Sequence, residues 1–587
     1  MIPNMKFTLT LFLLSLYTLT FSQVPPTWEQ KISHELAERA ADGQSHPFII
    51  ILTEQADLSK ISLLDTKEEK GNYVYQQLRA TARKSQSGLI SFFRKESISY
   101  QPLFIINSIQ VTGDQNLIQT LARRDDVARI IDNPKIEYNR PVHQSQLENR
   151  GLVVTWGIEM INANDVWALG YRGQGVTVGG ADTGYEWNHP ALIRQYRGYE
   201  EELDTVDHNY NWHDAIHEID TLNADSNNIC GLDSPFPCDD RGHGTHTMGT
   251  MIGLDSINEI GVAPEAEWCG CRNMERGFGS PFSYLECFEW FLAPTDLNNQ
   301  NPDPSLAPHV INNSWGCPKI EGCDSTNWHI LEMAVNNLRQ AGIVVVVSAG
   351  NDGPACSTIA VAPAFFEGSF SVGATAMNDS IVGFSSRGPV LADGSNRIKP
   401  DVSAPGAGIL SSTRGGNYGF SSGTSMAAPH VVGLVALMIS ANPDLAGHVD
   451  IIEDIIEQTA VPKTTDQDCG NEPGSEVPNN TYGYGRIDAL AAVNVALALV
   501  VSTDETEDDV PLLIYPNPAD EYVLMDLRDY DGEVRIQLFD INGRIVFQKV
   551  ETGNQLVRLD LADQSSGVYF YKMYSVTGMA QGKLMVR

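Results

Sequence analysis

Between residues 40 and 135 the chain alternates between short apolar runs typical of strands and the apolar spacing typical of helices. Short apolar runs at Phe48–Leu52, Leu103–Val111 and Val127–Ile131 predict β-strands. Apolar residues repeat with helical spacing in Glu68–Lys95 and in Gln115–Ala122, so we expect one long and one short helix there. This order of strands and helices predicts a small α+β domain.

Three apolar segments mark the following region of the chain. Residues 176–184 predict a buried strand that ends at Asp182 and turns at Gly184. Ile343–Val347 is a continuous apolar run and predicts a second buried strand. The stretch His430–Ile439 is apolar on nearly all sides, which predicts a helix in the interior of a domain.

Beyond residue 500 the pattern changes again. The acidic run 502–509 cannot bury a core and predicts a solvated linker over 501–511. Alternating apolar and polar positions then predict a β-sandwich over 512–587, with Asn542-Gly543 as a hairpin signal. The predicted strands are Tyr522–Leu527, Val534–Phe539, Arg544–Lys549, Leu556–Leu561, Val568–Tyr574 and Gly582–Val586.

The start of the chain predicts a secretory signal peptide. Lys6 precedes the apolar run Phe7–Phe21, and the residues that follow predict cleavage after Ser22. This run is too short and too rich in threonine for a transmembrane helix, and no other stretch is long and apolar enough to span a bilayer. We therefore expect an exported protein without a transmembrane segment.

Charge is distributed unevenly along the chain. Residues 23–140 contain 15 basic and 15 acidic side chains, so nearly all of the formal charge of −35 belongs to the part that follows. Such an acidic region repels phosphate groups, which argues against nucleic acid or an anionic membrane as a partner.

Three glycine-containing segments carry the residue types of nucleophilic catalysis. Ser425 lies in G-T-S-M-A-A-P, just before the predicted interior helix, where unpaired backbone N–H groups favour an oxyanion. His243 lies in D-R-G-H-G-T-H-T, in a turn that opens a predicted helix Thr247–Ile252. Together with Asp182 these residues supply the hydroxyl, imidazole and carboxylate of a catalytic triad, which occurs on several folds in different chain orders.

The order Asp182, His243, Ser425 and the surrounding motifs resemble those of the subtilisin-like serine proteases, or subtilases. S-A-G-N after the strand Ile343–Val347 matches the family segment whose asparagine, here Asn351, completes the oxyanion hole. The resemblance extends from about 150 to 500, and D-T-G-Y-E-W-N-H-P-A-L resembles the bacillopeptidase F-like branch. It implies an α/β domain with a parallel sheet and helices on both faces, acting as a serine-type endopeptidase.

The resemblance gives each of these residues a role. His243 would accept the proton of Ser425, and Asp182 would orient and stabilise the imidazolium. Asn351 and the backbone N–H of Ser425 would stabilise the oxyanion of the tetrahedral intermediate. No cofactor is required for this chemistry.

Two histidines and two glycines stand beside the predicted triad. We expect His246 and His430 to be structural, because the family motif assigns the base to the first histidine of G-H-G-T-H. Gly179 and Gly180 precede Asp182 at positions where the family more often has bulky aliphatic residues. The strand is therefore either looser than in the family or packed against something large.

Substrate binding is predicted from V-I-N-N-S-W-G, which resembles the family's edge strand that pairs with an extended polypeptide substrate. Ser314, Trp315 and Gly316 would line the groove, and the side chain of Trp315 would either wall a pocket or pack in the interior. Asp352 would lie at the mouth of the pocket for the side chain that precedes the scissile bond. This position predicts a mild preference for Lys or Arg in the substrate.

An acidic insertion over 204–239 separates the segments of Asp182 and His243. It allows two interpretations, a solvated surface loop or a structural calcium site, and no spacing matches a defined calcium-binding loop. The carboxylates available as ligands in or next to it are Asp225, Asp233, Asp239 and Asp240.

All nine cysteines fall in the subtilase-like region. Export through an oxidising compartment favours disulfides, and the pairs Cys230–Cys238 and Cys317–Cys323 would each close a short loop. An odd number leaves one thiol unpaired.

The N-terminal α+β region resembles the inhibitory propeptide of subtilases, which templates folding and blocks the active site until it is cut. This predicts a zymogen with a signal peptide over 1–22, a propeptide over 23–145 and a peptidase domain over 150–500. The chain's own propeptide would be a partner of the peptidase domain. We expect self-cleavage between about Arg140 and Trp156.

The motifs Y-P-N-P, G-V-Y and K-L-M-V of the C-terminal sandwich resemble the sorting domain of type IX secretion in Bacteroidetes. This implies the type IX secretion machinery as a partner and export across the outer membrane, to the medium or the cell surface. A carbohydrate- or protein-binding module is the competing interpretation of the sandwich. A non-catalytic surface adhesin that retains the protease fold is the competing interpretation of the whole chain.

Overall fold

A computed structural model describes most of the chain. The described residues are 27–134, 136–137, 143–146, 153–219, 228–256, 258–317, 327–499, 512–515, 517–519, 522–528, 530, 532–539, 545–561, 564–575 and 579–586. The predicted signal peptide over 1–22, the predicted linker over 501–511 and the hairpin signal Asn542-Gly543 lie outside them.

The N-terminal region has the predicted α+β fold, built on a four-stranded antiparallel sheet in the order β2-β3-β1-β4. Two further short strands, β5 and β6, follow it along the chain. The elements are α1 His34–Ala40, β1 His46–Leu52, α2 Lys67–Ser85, α3 Ser87–Glu96, β2 Tyr100–Leu103, β3 Ser108–Gly113, α4 Gln115–Ala122, β4 Val127–Asp132, β5 Ile136–Glu137 and β6 His143–Gln146.

Strand β1 is apolar at consecutive positions because both of its faces are buried. Phe48 and Ile50 pack against helices of the N-terminal region itself. Ile49 and Ile51 belong to a different cluster, which they share with helices of the following region. The sheet of the N-terminal region is therefore covered on one side by α1, α3 and α4, and on the other by α2 together with helices of the following region.

Two predictions for this region were wrong in detail. The helix predicted over Glu68–Lys95 is interrupted at Gln86, whose side-chain amide donates hydrogen bonds to the carbonyl oxygens of Leu103 and Ser108 at 2.8 and 3.2 Å. The strand predicted over Leu103–Val111 is a hairpin, because residues 104–107 form the turn between β2 and β3. Their apolar side chains are buried between the two regions of the protein.

The subtilase-like region contains a seven-stranded parallel sheet in the order β11-β13-β8-β16-β17-β18-β19, which confirms the predicted α/β fold. Its helices are α5 Trp156–Met160, α6 Ala163–Ala168, α7 His243–Ile252, α8 Pro281–Leu292, α9 Trp328–Gln340, α10 Thr424–Ala441, α11 Val449–Thr459 and α12 Ala489–Ala498. Its strands are β7 Val153–Val154, β8 Thr177–Asp182, β9 Tyr199–Glu200, β10 Thr205–Val206, β11 Trp212–Asp214, β12 Asn258–Glu259, β13 Glu267–Arg272, β14 Met274–Glu275, β15 Phe278–Gly279, β16 Val310–Asn313, β17 Val344–Ser348, β18 Phe370–Thr375, β19 Val402–Pro405, β20 Ile409–Thr413 and β21 Asn417–Ser422.

Both faces of this sheet are covered by helices. In β17, Val344 and Val346 belong to the cluster that contains α7, α10 and α12, whereas Val345 and Val347 belong to the cluster that contains α8 and α9. Alternate side chains thus enter opposite cores, which is why residues 344–347 are all valine and only the last residue of the strand, Ser348, is polar.

The glycines of β8 are packed against large side chains, which decides between the two interpretations of this strand. A Cβ atom on Gly180 would lie 2.3 Å from the hydroxyl oxygen of Tyr185, and one on Gly179 would lie 2.8 Å from a ring carbon of Phe291. Tyr185 and Phe291 are both fully buried. Side chains of neighbouring elements therefore occupy the space beside the two glycines, and the strand is tightly packed.

Two helices begin earlier than the apolar pattern indicates. Helix α7 begins at His243, not at Thr247, and the preceding Gly242 has the positive φ of +94° that such a turn requires. Helix α10 begins at Thr424, not at His430, and contains Pro429. Among the described residues α10 is the one helix long and apolar enough to cross a membrane, and 89% of it is buried inside the protein.

The C-terminal region confirms the predicted β-sandwich and adds a strand, β22, to the six predicted ones. A three-stranded antiparallel sheet, β22-β23-β26, and a four-stranded one, β25-β24-β27-β28, enclose a shared apolar core. The strands are β22 Leu513–Tyr515, β23 Tyr522–Asp526, β24 Glu533–Phe539, β25 Ile545–Thr552, β26 Leu556–Asp560, β27 Gly567–Tyr574 and β28 Met579–Val586.

Disulfides connect both close and distant parts of the subtilase-like region. The predicted pair Cys230–Cys238 is confirmed, and Cys271–Cys287 and Cys356–Cys469 are further pairs that sequence analysis did not predict. Cys317 is disulfide-bonded, whereas its predicted partner Cys323 lies outside the described residues. The free thiol is that of Cys269, which is buried.

Replacing Gly180 with alanine should lower the free energy of unfolding by about 1–3 kcal/mol, because the new methyl group overlaps the buried Tyr185 hydroxyl. Urea unfolding in a Ser425→Ala background, which excludes self-cleavage, would measure the loss. Gly383→Ala is the matched control, since nothing lies within 4 Å of its added Cβ atom. Equal unfolding midpoints for the two variants would contradict the packing account.

Candidate active site

The first two predicted triad residues meet at the carboxyl end of the central sheet. Asp182 is the last residue of β8, and His243 is the first residue of α7. Both carboxylate oxygens lie within hydrogen-bonding distance of His243 Nδ1, Oδ1 at 2.7 Å and Oδ2 at 2.9 Å. Asp182 is 0% and His243 1% exposed, so this pair lies in a region of low dielectric, where hydrogen bonds between charged groups are strong.

Further donors satisfy the Asp182 carboxylate. The backbone N–H of Thr183 donates to Oδ1 at 2.7 Å, and the hydroxyl of Thr247, one turn along α7 from His243, donates to Oδ2 at 3.4 Å. A buried carboxylate needs such donors in order to remain ionised. The arrangement orients the imidazole so that Nδ1 faces the carboxylate and Nε2 is directed away from it.

Ser425 lies in the first turn of α10 and is bound reciprocally to Ser314. The Ser425 hydroxyl donates to the carbonyl oxygen of Ser314 at 3.2 Å, and the Ser314 hydroxyl donates to the carbonyl oxygen of Ser425 at 3.0 Å. In a regular helix the latter carbonyl would accept from the N–H four residues later, which is Pro429 and has no N–H. The Ser314 hydroxyl therefore satisfies a carbonyl that the proline leaves unpaired.

The orientation of the Asn351 side chain is fixed by Thr424. Both the backbone N–H and the hydroxyl of Thr424 donate to Asn351 Oδ1, at 2.9 and 3.0 Å. Since the oxygen is held on this side, the amide nitrogen of Asn351 is directed away from Thr424. A Cβ atom on Gly423 would lie 3.7 Å from that nitrogen, which places the amide donor beside the residue that precedes α10.

The two neighbouring histidines are buried and bonded to backbone carbonyls. His246 Nε2 lies 3.2 Å from the carbonyl oxygens of Ile409 and Gly419, and His430 Nδ1 lies 2.8 Å from that of Met426. Burial lowers the pKa of each imidazole to about 4. Both rings are thus neutral at physiological pH. His246 links α7 to β20 and β21, whereas the His430 bond lies within α10.

The residues predicted to bind substrate differ in their surroundings. Ser314 is fully buried, and the indole ring of Trp315 is 1% exposed and stacks on Tyr284 of α8, with ring centroids 3.8 Å apart. Trp315 thus packs in the interior in this form of the protein. Gly316 is partly exposed, and Asp352 is exposed while its backbone N–H donates to the Ser386 hydroxyl at 3.0 Å.

Two short strands from before the subtilase-like region pair with strands of that region. β5 pairs with β15 in antiparallel fashion, with Glu137 opposite Phe278. β6 pairs with β21, also antiparallel, and His143 lies opposite Ser422, three residues before the predicted nucleophile. The chain's own backbone therefore forms β-pairs with β15 and with β21, the strand that leads to Ser425.

The acidic insertion separates into exposed and buried parts. Asp233 contacts His217, and Asp240 accepts a hydrogen bond from the backbone N–H of Arg276 at 2.8 Å. Asp239 is buried and accepts hydrogen bonds from protein groups alone, and Asp225 lies outside the described residues. Within the described ranges, no group of three or more His, Cys, Asp or Glu residues could hold a metal ion. The structural calcium site stays a prediction.

Sequence analysis missed several residues that hold this site together. Thr183, Thr247 and Thr424 orient the predicted triad and oxyanion residues, and Pro429 creates the need for the Ser314 hydroxyl. Pro429, which directly precedes the predicted helix His430–Ile439, was the one available signal for this contact. Thr247 and Thr424 carry no local pattern, because their partners Asp182 and Asn351 are 65 and 73 residues away. Thr183 adjoins its partner Asp182 and was missed although it is local.

Comparison with known families agrees with these observations. Residues 173–485, more than half of the chain, match the model described as the subtilase family. Residues 513–587 match the model described as a secretion system C-terminal sorting domain. The latter match indicates export by type IX secretion, to the medium or to the cell surface.

Individual proteins show the same similarity. Bacillopeptidase F of Bacillus subtilis (strain 168) is 35% identical over 459 residues, which cover 75% of this chain and 30% of that protein. Subtilisin E of the same organism is 29% identical over 358 residues, which cover 60% of this chain and 76% of that protein. The chain thus spans less than a third of bacillopeptidase F and about three quarters of subtilisin E.

Solved structures share the fold. The epidermin leader peptide processing serine protease (EpiP) of Staphylococcus aureus superposes with a TM-score of 0.55 at 18% identity, over 77% of this chain and 99% of that chain. With the family match over residues 173–485, these similarities establish that the chain belongs to the subtilase family of serine-type endopeptidases.

Proposed function

We propose that this protein is an exported endopeptidase made as a zymogen, which hydrolyses polypeptides with Asp182, His243 and Ser425. The observation that carries the proposal is the buried pair of Asp182 and His243 Nδ1 at 2.7 Å, since His243 begins α7, which shares an apolar core with α10, the helix that has Ser425 in its first turn. Such a pair holds one imidazole tautomer, leaving Nε2 to act as a base.

The reaction begins when His243 removes the proton of the Ser425 hydroxyl and the oxygen attacks the scissile carbonyl. The negative charge that develops on the carbonyl oxygen is stabilised by the amide of Asn351 and by the N–H of Ser425 at the N-terminus of α10. His243 then donates the proton to the leaving amine, and a water molecule hydrolyses the acyl-enzyme by the same steps. Asp182 stabilises the imidazolium throughout.

The N-terminal α+β region acts as the propeptide in this proposal, supported by polar contacts with the peptidase region. The partly buried carboxyl group of Glu289 accepts hydrogen bonds from the N–H groups of Phe104 and Ile105, the latter at 2.9 Å. The amide of Asn337 donates to the carbonyl oxygen of Ile105 at 2.6 Å. The Lys67 ammonium donates to the carbonyl oxygen of Ala307 at 2.7 Å.

The strand pairs around Ser425 support inhibition by the chain itself. A polypeptide substrate would pair its backbone with the same strand edges. Since β15 pairs with β5 and β21 with β6, both edges are occupied before cleavage. We therefore expect the self-cleaved bond between Glu137 and His143, which overlaps the interval derived from sequence, about Arg140 to Trp156, only over residues 140–143.

Wild-type protein and Ser425→Ala, expressed side by side, test this proposal. Intact mass should show loss of an N-terminal fragment that ends between Glu137 and His143 in the wild type alone. Only the processed wild type should cleave a fluorescent peptide library. An active Ser425→Ala protein would refute the catalytic serine, and a wild type that cleaves neither itself nor any peptide would favour the adhesin interpretation.

Replacing Asn351 with alanine should lower kcat by about 10²–10³-fold and change KM little, because the amide stabilises charge that exists only in the transition state. This magnitude was measured in subtilisin, a member of the same family. Steady-state kinetics on one peptide would test it. Thr424→Ser, which keeps both donors to Asn351, is the control and should retain activity.

Asp352 should favour Lys or Arg before the scissile bond, because an exposed carboxylate at the mouth of the pocket attracts a cation. Asp352→Asn should lower kcat/KM for such peptides by roughly threefold to tenfold, and the loss should shrink at high salt. Peptides with an apolar residue at this position serve as the comparison. A purely apolar preference in the wild type would contradict the prediction.

A further inference from the structure

Asp239 is the most heavily hydrogen-bonded carboxylate near the active site, yet it lies outside the triad. Its Oδ1 accepts from the Thr183 hydroxyl at 2.9 Å and from the N–H groups of Arg241 and Gly242 at 3.0 and 2.6 Å. Its Oδ2 accepts from the N–H and the hydroxyl of Thr245, at 2.9 and 2.6 Å. The residue is 5% exposed, and all five of these donors are protein groups.

These donors come from the two elements that carry the acid and the base of the triad. Thr183 directly follows Asp182 at the end of β8, whereas Thr245 lies in the first turn of α7, two residues after His243. The Thr183 hydroxyl, while donating to Asp239, also accepts from the N–H of Gly244 at 3.2 Å. One carboxylate thus ties the end of the strand to the start of the helix.

The start of α7 depends on this contact for a physical reason. The N-cap residue is Gly242, which has no side chain to accept the first N–H groups of the helix. Asp239 and Thr183 accept the N–H groups of Gly242, Gly244 and Thr245 in its place. A negative charge at this end of the helix is also favoured by the helix dipole.

We propose that Asp239 is a positioning residue for the triad: it sets the distance and angle between Asp182 and His243 without touching substrate. This inference rests on the proposed function. Because Asp182 and His243 belong to separate elements, their 2.7 Å contact requires those elements to be held in register. A shift of about 1 Å in such a pair costs about 10²-fold in rate.

Asp239→Asn tests the inference, because it keeps the size of the side chain but turns an amide NH₂ toward donors. We expect kcat to fall by about 10²-fold and KM to change by less than about twofold. The acidic limb of the pH profile of kcat/KM should move to lower pH, since the imidazolium loses part of its stabilisation by Asp182. Titration of the active serine with a fluorophosphonate, in fully processed enzyme, corrects kcat for inactive protein.

Asp488→Asn is the matched control, because Asp488 is likewise a carboxylate at the start of a helix, α12. It accepts from the N–H of Ala491 at 3.0 Å and from the amide of Asn162 at 2.8 Å, and has no bond to either triad element among the described contacts. We expect its kcat and pH profile to equal those of the wild type. An Asp239→Asn enzyme with unchanged kcat, or with an unmoved acidic limb, would overturn the positioning role.

A second pair of variants covers the case in which Asp239→Asn does not mature. Thr245→Val removes the hydroxyl donor at 2.6 Å, whereas Thr245→Ser keeps it. We expect kcat of Thr245→Val to fall by roughly threefold to tenfold, with the same movement of the acidic limb, and Thr245→Ser to retain wild-type values. Equal values for the two variants would overturn the inference. A wild type that hydrolyses no peptide would instead refute the proposed function.

Discussion

The protein buries a carboxylate at the carboxyl end of its central sheet, and much of the surrounding structure supplies hydrogen-bond donors to it. Asp182 is inaccessible to water, so its oxygens depend on donors from His243, Thr183 and Thr247. These donors come from the strand end and from a helix that must begin in contact with it. The position of α7, the turn at Gly242 and the glycines of β8 are all compatible with this one requirement.

Sequence analysis predicted elements whose pattern is local. Helix α4 has the predicted bounds, and the continuous apolar run at 343–347 is a strand of the parallel sheet. The first turns of α7 and α10 were missed, because small and polar residues begin those helices and their N–H groups are satisfied by side chains outside the helix, those of Asp239, Thr183 and Asn351. Such partners leave no trace in the apolar pattern, so a helix start at a functional site is difficult to predict.

The residues of the candidate site were predicted from motifs, whereas the hydrogen bonds that hold them in place were not. The order of the family motifs predicted that Asp182 and His243 belong to one site, and the two side chains are in contact in the structure. The interruption at Gln86 and the turn at 104–107, in contrast, depend on hydrogen bonds with other strands or with the peptidase region. A segment whose apolar residues face a second region resembles a strand in sequence, whether or not it forms one.

The proline within α10 ties the predicted nucleophile to the segment predicted to line the substrate groove. Because Pro429 has no N–H, the carbonyl of Ser425 is bonded to Ser314, which directly follows β16, instead of to its own helix. In the proposed mechanism, a peptide that displaces the residues after β16 would also displace the backbone of Ser425. Substrate fit and nucleophile alignment would then be coupled through one serine hydroxyl.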